Sequence, residues 1–147
     1  MGAARAAATA LLARRDFARG ELAGKLTASG LDPATVAVVL DELTSERLID
    51  DARYAQNFIA YHAARGQGPV RIAAELRRHG LADGVIEAAL TAGPDWHALA
   101  RRARAAKFGP SAPGGWAERA RQGRFLQYRG FSSDHIRSAT GADPELE

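Results

Sequence analysis

The sequence predicts an all-α protein built from three tandem three-helix repeats that stack into an elongated, curved solenoid. A Leu followed four residues later by a Gly recurs with a period of fifty, and a fixed period of this size is typical of tandem structural repeats. The pattern occurs at three places: Leu26 with Gly30, Leu76 with Gly80, and Leu126 with Gly130. Strand-like alternation of β-branched and aromatic residues is missing. We place the repeats at residues 1–48, 49–92 and 93–147.

The first repeat carries helix signals at each of its three expected helices. We expect a first helix over residues 3–14, with Leu11 and Leu12 facing inward, and a second over 21–29. Asp32 and Pro33 then form a start signal, because Asp is a good N-cap and Pro fits the first helical position. Gly30 is expected to end the second helix in the left-handed conformation.

The second repeat begins with the acidic pair Asp50 and Asp51, whose negative charge suits a helix N-terminus. Pro69 then begins a helix that carries Leu76 and ends at Gly80, and a third helix carries Ile86. Each of these three helices is amphipathic, so each is expected to bury one face against its neighbours.

In the third repeat, Gly93-Pro94 is expected to begin a helix that runs to Phe108. The Gly- and Pro-rich loop at 109–115 is the best candidate hinge. A helix over Trp116–Arg129 follows, and Ser132 or Ser133 caps a last short helix. Residues 142–147 are expected to be frayed.

Composition limits the classes of function. The chain has 147 residues, of which 46% are hydrophobic. It contains no cysteine, and this excludes disulfides and thiolate metal sites. No segment is long and apolar enough to span a membrane. The Arg-bearing N-terminus fits a helix better than a leader segment, so we predict a cytoplasmic protein. We also expect the protein to be a monomer.

Charge is unevenly distributed along the chain. Residues 1–51 hold 6 basic and 8 acidic side chains, residues 52–130 hold 13 and 5, and residues 131–147 hold 1 and 4. A basic middle between acidic ends indicates an anionic partner, although a solvated Arg-rich face is the plainer interpretation. The candidate partner-binding residues are Arg65, Arg71, Arg77, Arg78, Arg101, Arg102, Arg104, Lys107, Arg121, Arg124 and Arg129.

The sequence offers no set of residues for catalysis, a metal or a cofactor. Asp50 and Asp51 are adjacent on a helix and point about 100° apart, so capping and an ion pair with Arg53 are better roles for them than a shared metal. The four His do not fall at metal-ligand spacing on any one helix. The Gly66-x-Gly68 stretch lacks the residues of a phosphate-binding loop. We therefore predict a protein that is not an enzyme.

Four motifs resemble the RecX family, whose members regulate the recombinase RecA. They are RRDFARGEL at 14–22, LIDDARYA at 48–55, GQGPVRIAAELRRHGL at 66–81 and FLQYRGF at 125–131. The chain departs from the family pattern at Ala18, where a Ser is usual, and this removes an N-cap at an expected local cost of about 1 kcal/mol. Tyr128 stands where a basic residue is common. The structural motif residues are Asp50, Asp51, Arg53, Tyr54, Gly30, Gly80 and Gly130.

The resemblance implies three three-helix repeats and no enzymatic activity. It also implies binding to the RecA–DNA filament, with inhibition of its recombinase, ATPase and coprotease activities in DNA repair and the SOS response. Non-specific contact with the phosphates of single- or double-stranded DNA is a further candidate interaction. The alternative is a stand-alone DNA-binding regulator of helix-turn-helix type. The helix after Gly80, however, has no Arg, Asn or Gln with which to read bases. Tyr61, Trp96 and Trp116 are candidate anchors, with core packing as the default for each.

Overall fold

A computed structural model describes residues 1–141, and over that range the chain is helical, with no strand. Residues 142–147, where fraying was expected, lie outside the described range. In the described part the helices are α1 (Gly2–Leu12), α2 (Arg19–Ala28), α3 (Pro33–Ser45), α4 (Asp51–Ala63), α5 (Pro69–Arg78), α6 (Asp83–Thr91), α7 (Trp96–Phe108), α8 (Trp116–Arg129) and α9 (Ser133–Thr140). The all-α fold class predicted from the sequence is confirmed.

The period of fifty residues coincides with equivalent structural positions. Leu26, Leu76 and Leu126 retain 2%, 0% and 0% of their accessible surface. The glycine four residues after each Leu has a positive φ, between 87° and 99°, which is the left-handed conformation of a helix C-terminal cap. In each case the next residue donates its backbone N–H to the carbonyl of that Leu. The repeat boundaries and the elongated, curved shape stay predictions.

The chain divides into two compact units. The first consists of Met1–Asn57 and Leu76–Ala89. Its core is mainly aliphatic, with Phe17 among its members, and holds the fully buried Leu22, Leu40 and Leu43. Leu11 and Leu12 of α1 pack against this core, as the sequence predicted. Because burying one Leu contributes about 1.5–3 kcal/mol, these helices depend on a few large side chains among many alanines.

The second unit consists of Phe58–Glu75 and the residues from Leu90 onward. Ile59, Ile72, Leu126 and Ile136 are buried in it, together with Trp96 at 9% exposure. The indole N–H of Trp96 donates to the Leu90 carbonyl oxygen at 3.2 Å, so this side chain is a core residue and not a free anchor. The second predicted repeat thus contributes residues to both compact units.

Helix α1 covers Gly2–Leu12 where residues 3–14 were predicted, and two later helices start two or more residues from their predicted positions. The helix expected to begin at Gly93-Pro94 begins at Trp96, because the Asp95 carboxylate caps it by accepting from the Ala98 N–H at 3.1 Å. Helix α2 begins at Arg19, two residues before the predicted Glu21. The cap of α9 is Ser132, one of the two serines considered.

The early start of α2 is explained by acceptors that replace the missing Ser side chain at position 18. Ala18 has no side-chain acceptor, but its own N–H donates to the Glu21 carboxylate at 3.3 Å. The N–H of Arg19 donates to the Asp51 carboxylate of α4 at 2.8 Å. A carboxylate from a different helix therefore satisfies a backbone donor that would otherwise lack an intrahelical partner.

Candidate functional site

The residues of the acidic LIDDARYA motif have structural partners within the first unit. The Asp50 carboxylate accepts from the Arg53 N–H at 3.0 Å and so caps α4, while Asp51 serves α2. The guanidinium of Arg53 forms an ion pair with Asp16 at 3.2 Å. Both acids are therefore committed to helix N-termini. No group of three His, Asp or Glu that could hold a metal ion occurs within residues 1–141.

Tyr54, in the same motif, connects two helices of the first unit. Its hydroxyl lies 2.8 Å from Nδ1 of His79, the residue before the capping Gly80. Burial raises the pKa of the Tyr54 phenol above its ordinary value, so this hydroxyl is neutral and remains able to donate at physiological pH. The motif thus orders α2, α4 and the end of α5.

The predicted cations of α5 are exposed at the surface. Arg71, Arg77 and Arg78 are all exposed. Arg77 forms an ion pair with Asp83 at 2.9 Å, and both side chains are more than half exposed. An exposed pair of this kind contributes little to stability, so Arg77 is available to an anionic partner.

The expectation that Arg104 lies on the surface is wrong. This side chain is only 7% exposed. Its guanidinium donates to the Ser111 carbonyl oxygen at 3.1 Å and to the Gln122 amide oxygen at 3.2 Å. It therefore ties the 109–115 loop to α7 and α8. The sequence pattern missed this because Arg104 belongs to a run of charged residues, RRARAAK, that looks uniformly solvent-facing.

Apart from Arg104 and the half-buried Arg129, the predicted cations of α7 and α8 are exposed, but they differ in their contacts. Arg101 donates to the Ser138 hydroxyl at 3.3 Å, whereas Arg102 and Arg124 project from their helices as exposed side chains. Arg121 forms an ion pair with Glu118 at 2.7 Å. That guanidinium and the Gln122 amide lower the pKa of the Glu118 carboxyl to about 2, so the pair stays charged at any physiological pH.

The structure brings three predicted cations together in one cleft. Arg65, Lys107 and Arg129 line a recess of about 290 Å³ in the second unit, together with Phe125, Gly66, Ala103 and Ala106. Lys107 Nζ lies 5.9 Å, and Arg129 Cζ 5.1 Å, from the centre of the Phe125 ring. No carboxylate belongs to the residues that line the recess. We call this group of residues the basic cleft.

The three cations are recognisable as candidates in the sequence, but their proximity to one another is not, nor is the contribution of Phe125 and Gly66. The available signal was that Arg65 and Arg129 each directly precede a glycine at a helix end. Such glycines end helices and bring the preceding side chain to the rim of a turn. The sequence does not show which of these turns lie close together in the folded protein.

The aromatic candidates are divided between core and surface. Trp96 is buried, whereas Tyr61 and Trp116 are 55% and 66% exposed. Tyr128, which replaces a basic residue common in the family, is 80% exposed. The second unit therefore presents aromatic as well as basic side chains to solvent. In the described range, no helix has the length and apolar character needed to cross a bilayer.

Comparison with known families agrees with this helical architecture. Models for the first, second and third three-helix domains of RecX match residues 4–43, 50–90 and 95–140. The chain belongs to the RecX family.

Relatives within the RecX family match almost the entire chain. A protein named regulatory protein RecX from Halorhodospira halophila is 49% identical over 144 residues, covering 97% of this chain and 89% of its own. Another of that name from Pseudomonas fluorescens is 44% identical over 135 residues, covering 91% and 87%. The crystal structure of RecX from Lactobacillus salivarius superposes with a TM-score of 0.83 at 20% identity, covering 99% and 97% of the two chains, and supports the fold.

Proposed function

We propose that this protein regulates RecA by binding the RecA–DNA filament, and that it inhibits strand exchange, ATP turnover and coprotease activity. The observation that carries the proposal is membership of a family of regulatory proteins along nearly the whole chain. The protein would act by binding rather than by catalysis, as a monomer in the cytoplasm, where it would limit filaments during DNA repair and the SOS response.

The distribution of charge supports a filament as the partner. Residues 52–130 hold 13 basic and 5 acidic side chains, and of the candidate cations only Arg104 is buried. A filament built on DNA carries phosphates as well as acidic protein side chains, so it presents an extended anionic surface. The basic residues of α5, α7 and α8 are suited to such a surface without reading sequence.

The direct test is ATP turnover by RecA on single-stranded DNA, measured with and without this protein at constant salt. Inhibition that increases with the protein concentration is expected. Unchanged turnover, together with failure to co-sediment with RecA filaments, would exclude the proposal. DNA binding in the absence of any effect on RecA would favour the stand-alone regulator instead.

A pair of charge reversals tests which cations face the filament. Arg77 and Arg78 changed to Glu should weaken association and flatten its salt dependence, because fewer anionic groups are neutralised. Arg5 and Arg47 changed to Glu, in the net-acidic first 51 residues, should have little effect. Helicity and melting temperature should change little in the Arg77 and Arg78 variant, since exposed charges contribute within about 0.5 kcal/mol. The control also loses the ion pairs of Arg5 with Glu42 and Glu46, so its fold is checked by circular dichroism before its binding is compared. The opposite ranking of the two variants would show that the binding face has been assigned wrongly.

A further inference from the structure

We propose that the basic cleft of Arg65, Lys107 and Arg129 binds the phosphodiester backbone of single-stranded DNA, independently of RecA. The inference rests on the proposed function in one respect: a filament regulator works where single-stranded DNA is present. It adds a specific binding site, which the family match does not supply.

The cationic residues that line the cleft come from three separate places in the second unit. Arg65 follows the end of α4, Lys107 lies near the end of α7, and Arg129 is the last residue of α8. No acidic residue lies among the cleft-lining residues to neutralise them. This contrasts with Arg77 and Arg121, each of which has a carboxylate partner. A recess lined by three cationic residues and no carboxylate has a positive potential, so it favours an anionic ligand.

Two of the three cations are held in position before any ligand arrives. The Arg65 guanidinium stacks on the Tyr61 ring with Cζ 3.5 Å from the ring centre, and it donates to the Tyr61 carbonyl oxygen at 3.0 Å. Arg129 lies beside the turn at Gly66, where a Cβ would come within 3.3 Å of its Nη1. Side chains already ordered lose less entropy when they bind, which increases affinity.

The Phe125 ring in the cleft is not available for stacking on a nucleobase. Phe125 packs edge-on against Phe108, with ring centres 5.3 Å apart and planes at 87°. Arg129 and Lys107 lie over the same ring. The cleft therefore offers positive charge and N–H donors but no free aromatic face. It is suited to the backbone of a strand and predicts little preference for sequence.

A phosphodiester explains the cleft better than an acidic peptide does. A carboxylate is planar and is satisfied by one bidentate arginine, whereas cations arriving from several directions match a tetrahedral phosphate. The recess, at about 290 Å³, is at the lower limit of small-molecule sites and has room for a backbone group. A flexible single strand can direct a phosphate into such a recess more easily than a stiff duplex can.

The test compares two variants that lose the same charge from exposed positions of the same unit. The cleft variant carries Arg65→Gln and Lys107→Gln, and the control carries Arg102→Gln and Arg124→Gln, which do not line the cleft. Binding to fluorescein-labelled oligo-dT is measured without RecA, over a series of salt concentrations. If both cleft cations contact phosphates, the slope of log K against log salt should fall by about 1.4 in magnitude, since each phosphate contact contributes about 0.7 on a single strand. The control should change by less than half as much.

The remaining outcomes separate this proposal from the function proposed above. No oligo-dT binding by the unaltered protein at low salt, or equal losses in the two variants, would overturn the cleft assignment. Unchanged oligo-dT binding by the cleft variant, with weakened association to RecA filaments, would overturn it in favour of an acidic protein surface as the ligand. In each case RecA ATP turnover is measured separately, so the filament proposal stands or fails on its own result.

Discussion

Gly68 packs directly against the backbone of Gly130, so closely that a Cβ on Gly68 would lie 2.4 Å from the Gly130 carbonyl carbon. The two segments are joined by hydrogen bonds: the Gly68 N–H donates to the Arg129 carbonyl oxygen at 2.8 Å, and the Val70 N–H donates to that of Gly130 at 2.9 Å. The start of α5 therefore docks on the end of α8. Within the first unit, Gly20 at the start of α2 approaches Gly80 in the same manner, with 3.0 Å between its Cβ position and the Gly80 Cα.

Gly68→Ala should destabilise the protein by about 1–3 kcal/mol, because a backbone carbonyl cannot move aside as the end of a flexible side chain can. Gly84→Ala is the matched control, since Gly84 lies in helix α6 and a Cβ there meets nothing within 4 Å. That change should be neutral or stabilise by up to about 1 kcal/mol. Urea unfolding monitored by circular dichroism measures both. Equal stability of the two variants would contradict the close approach.

Asp51→Ala should cost about 1–2 kcal/mol, because it removes the acceptor for the Arg19 N–H at the start of α2. Asp83→Ala is the control. Asp83 occupies the first turn of α6, as Asp51 does in α4, but its side chain is 77% exposed and pairs with the exposed Arg77. Both variants lose a favourable interaction with a helix dipole. The excess cost at Asp51, read from thermal unfolding, isolates the contact between helices, and no excess would rule out its contribution.

The repeat register was predicted well from the sequence because it depends on residues that are close together in the chain. A buried Leu, a capping Gly and an apolar residue after it are all set within one helix end, and they recur at Leu26, Leu76 and Leu126. Helix starts were predicted less reliably where two neighbouring residues each favour a start. Pro94 and Asp95 both favour a helix start, and the carboxylate of Asp95 determined the position.

The candidate site was less predictable because it depends on which helix ends meet. Arg65 and Arg129 are 64 residues apart, yet Arg129 Nη1 lies 3.5 Å from the Arg65 carbonyl oxygen. The burial of Arg104 was equally hard to predict, because the sequence around it does not distinguish it from its exposed neighbours Arg101 and Arg102. Its burial depends on Gln122, eighteen residues away, and on the return of the 109–115 loop. Whether the cations bind a partner stays a prediction.

Arg104→Ala should destabilise the second unit by about 2–4 kcal/mol, because it deletes a buried side chain and leaves the Gln122 amide oxygen without its charged donor. Arg102→Ala, two residues earlier on the exposed face of α7, should stay within about 0.5 kcal/mol. Urea unfolding gives the difference. Limited proteolysis should also cut the 109–115 loop faster in the Arg104 variant, since the Ser111 contact is lost. An Arg104 variant as stable as the Arg102 variant would contradict the buried role.

The histidine at the start of α9 should make stability depend on pH. Nδ1 of His135 accepts from the Ser132 N–H at 3.3 Å and lies 2.8 Å from the Ser132 hydroxyl, which in turn accepts from the His135 N–H at 3.4 Å. This reciprocal cap requires an unprotonated Nδ1. Burial and the neighbouring His97, with ring centres 4.7 Å apart, lower the pKa of His135, and Asp134 and Asp95 oppose the shift.

A folded-state pKa below the ordinary value of about 6.5 means that the unfolded chain binds the proton first as pH falls. The stabilising contribution is therefore complete above about pH 6.5 and is lost as pH falls through the lower folded-state pKa. His135→Gln keeps a side-chain acceptor at the third helical position but does not titrate, so it should lose less stability between pH 7.5 and pH 5 than the unaltered protein. Urea unfolding at a series of pH values measures this difference, while His79→Gln controls for a histidine in the other unit. Parallel pH profiles for His135→Gln and the unaltered protein would show that the cap does not sense protonation.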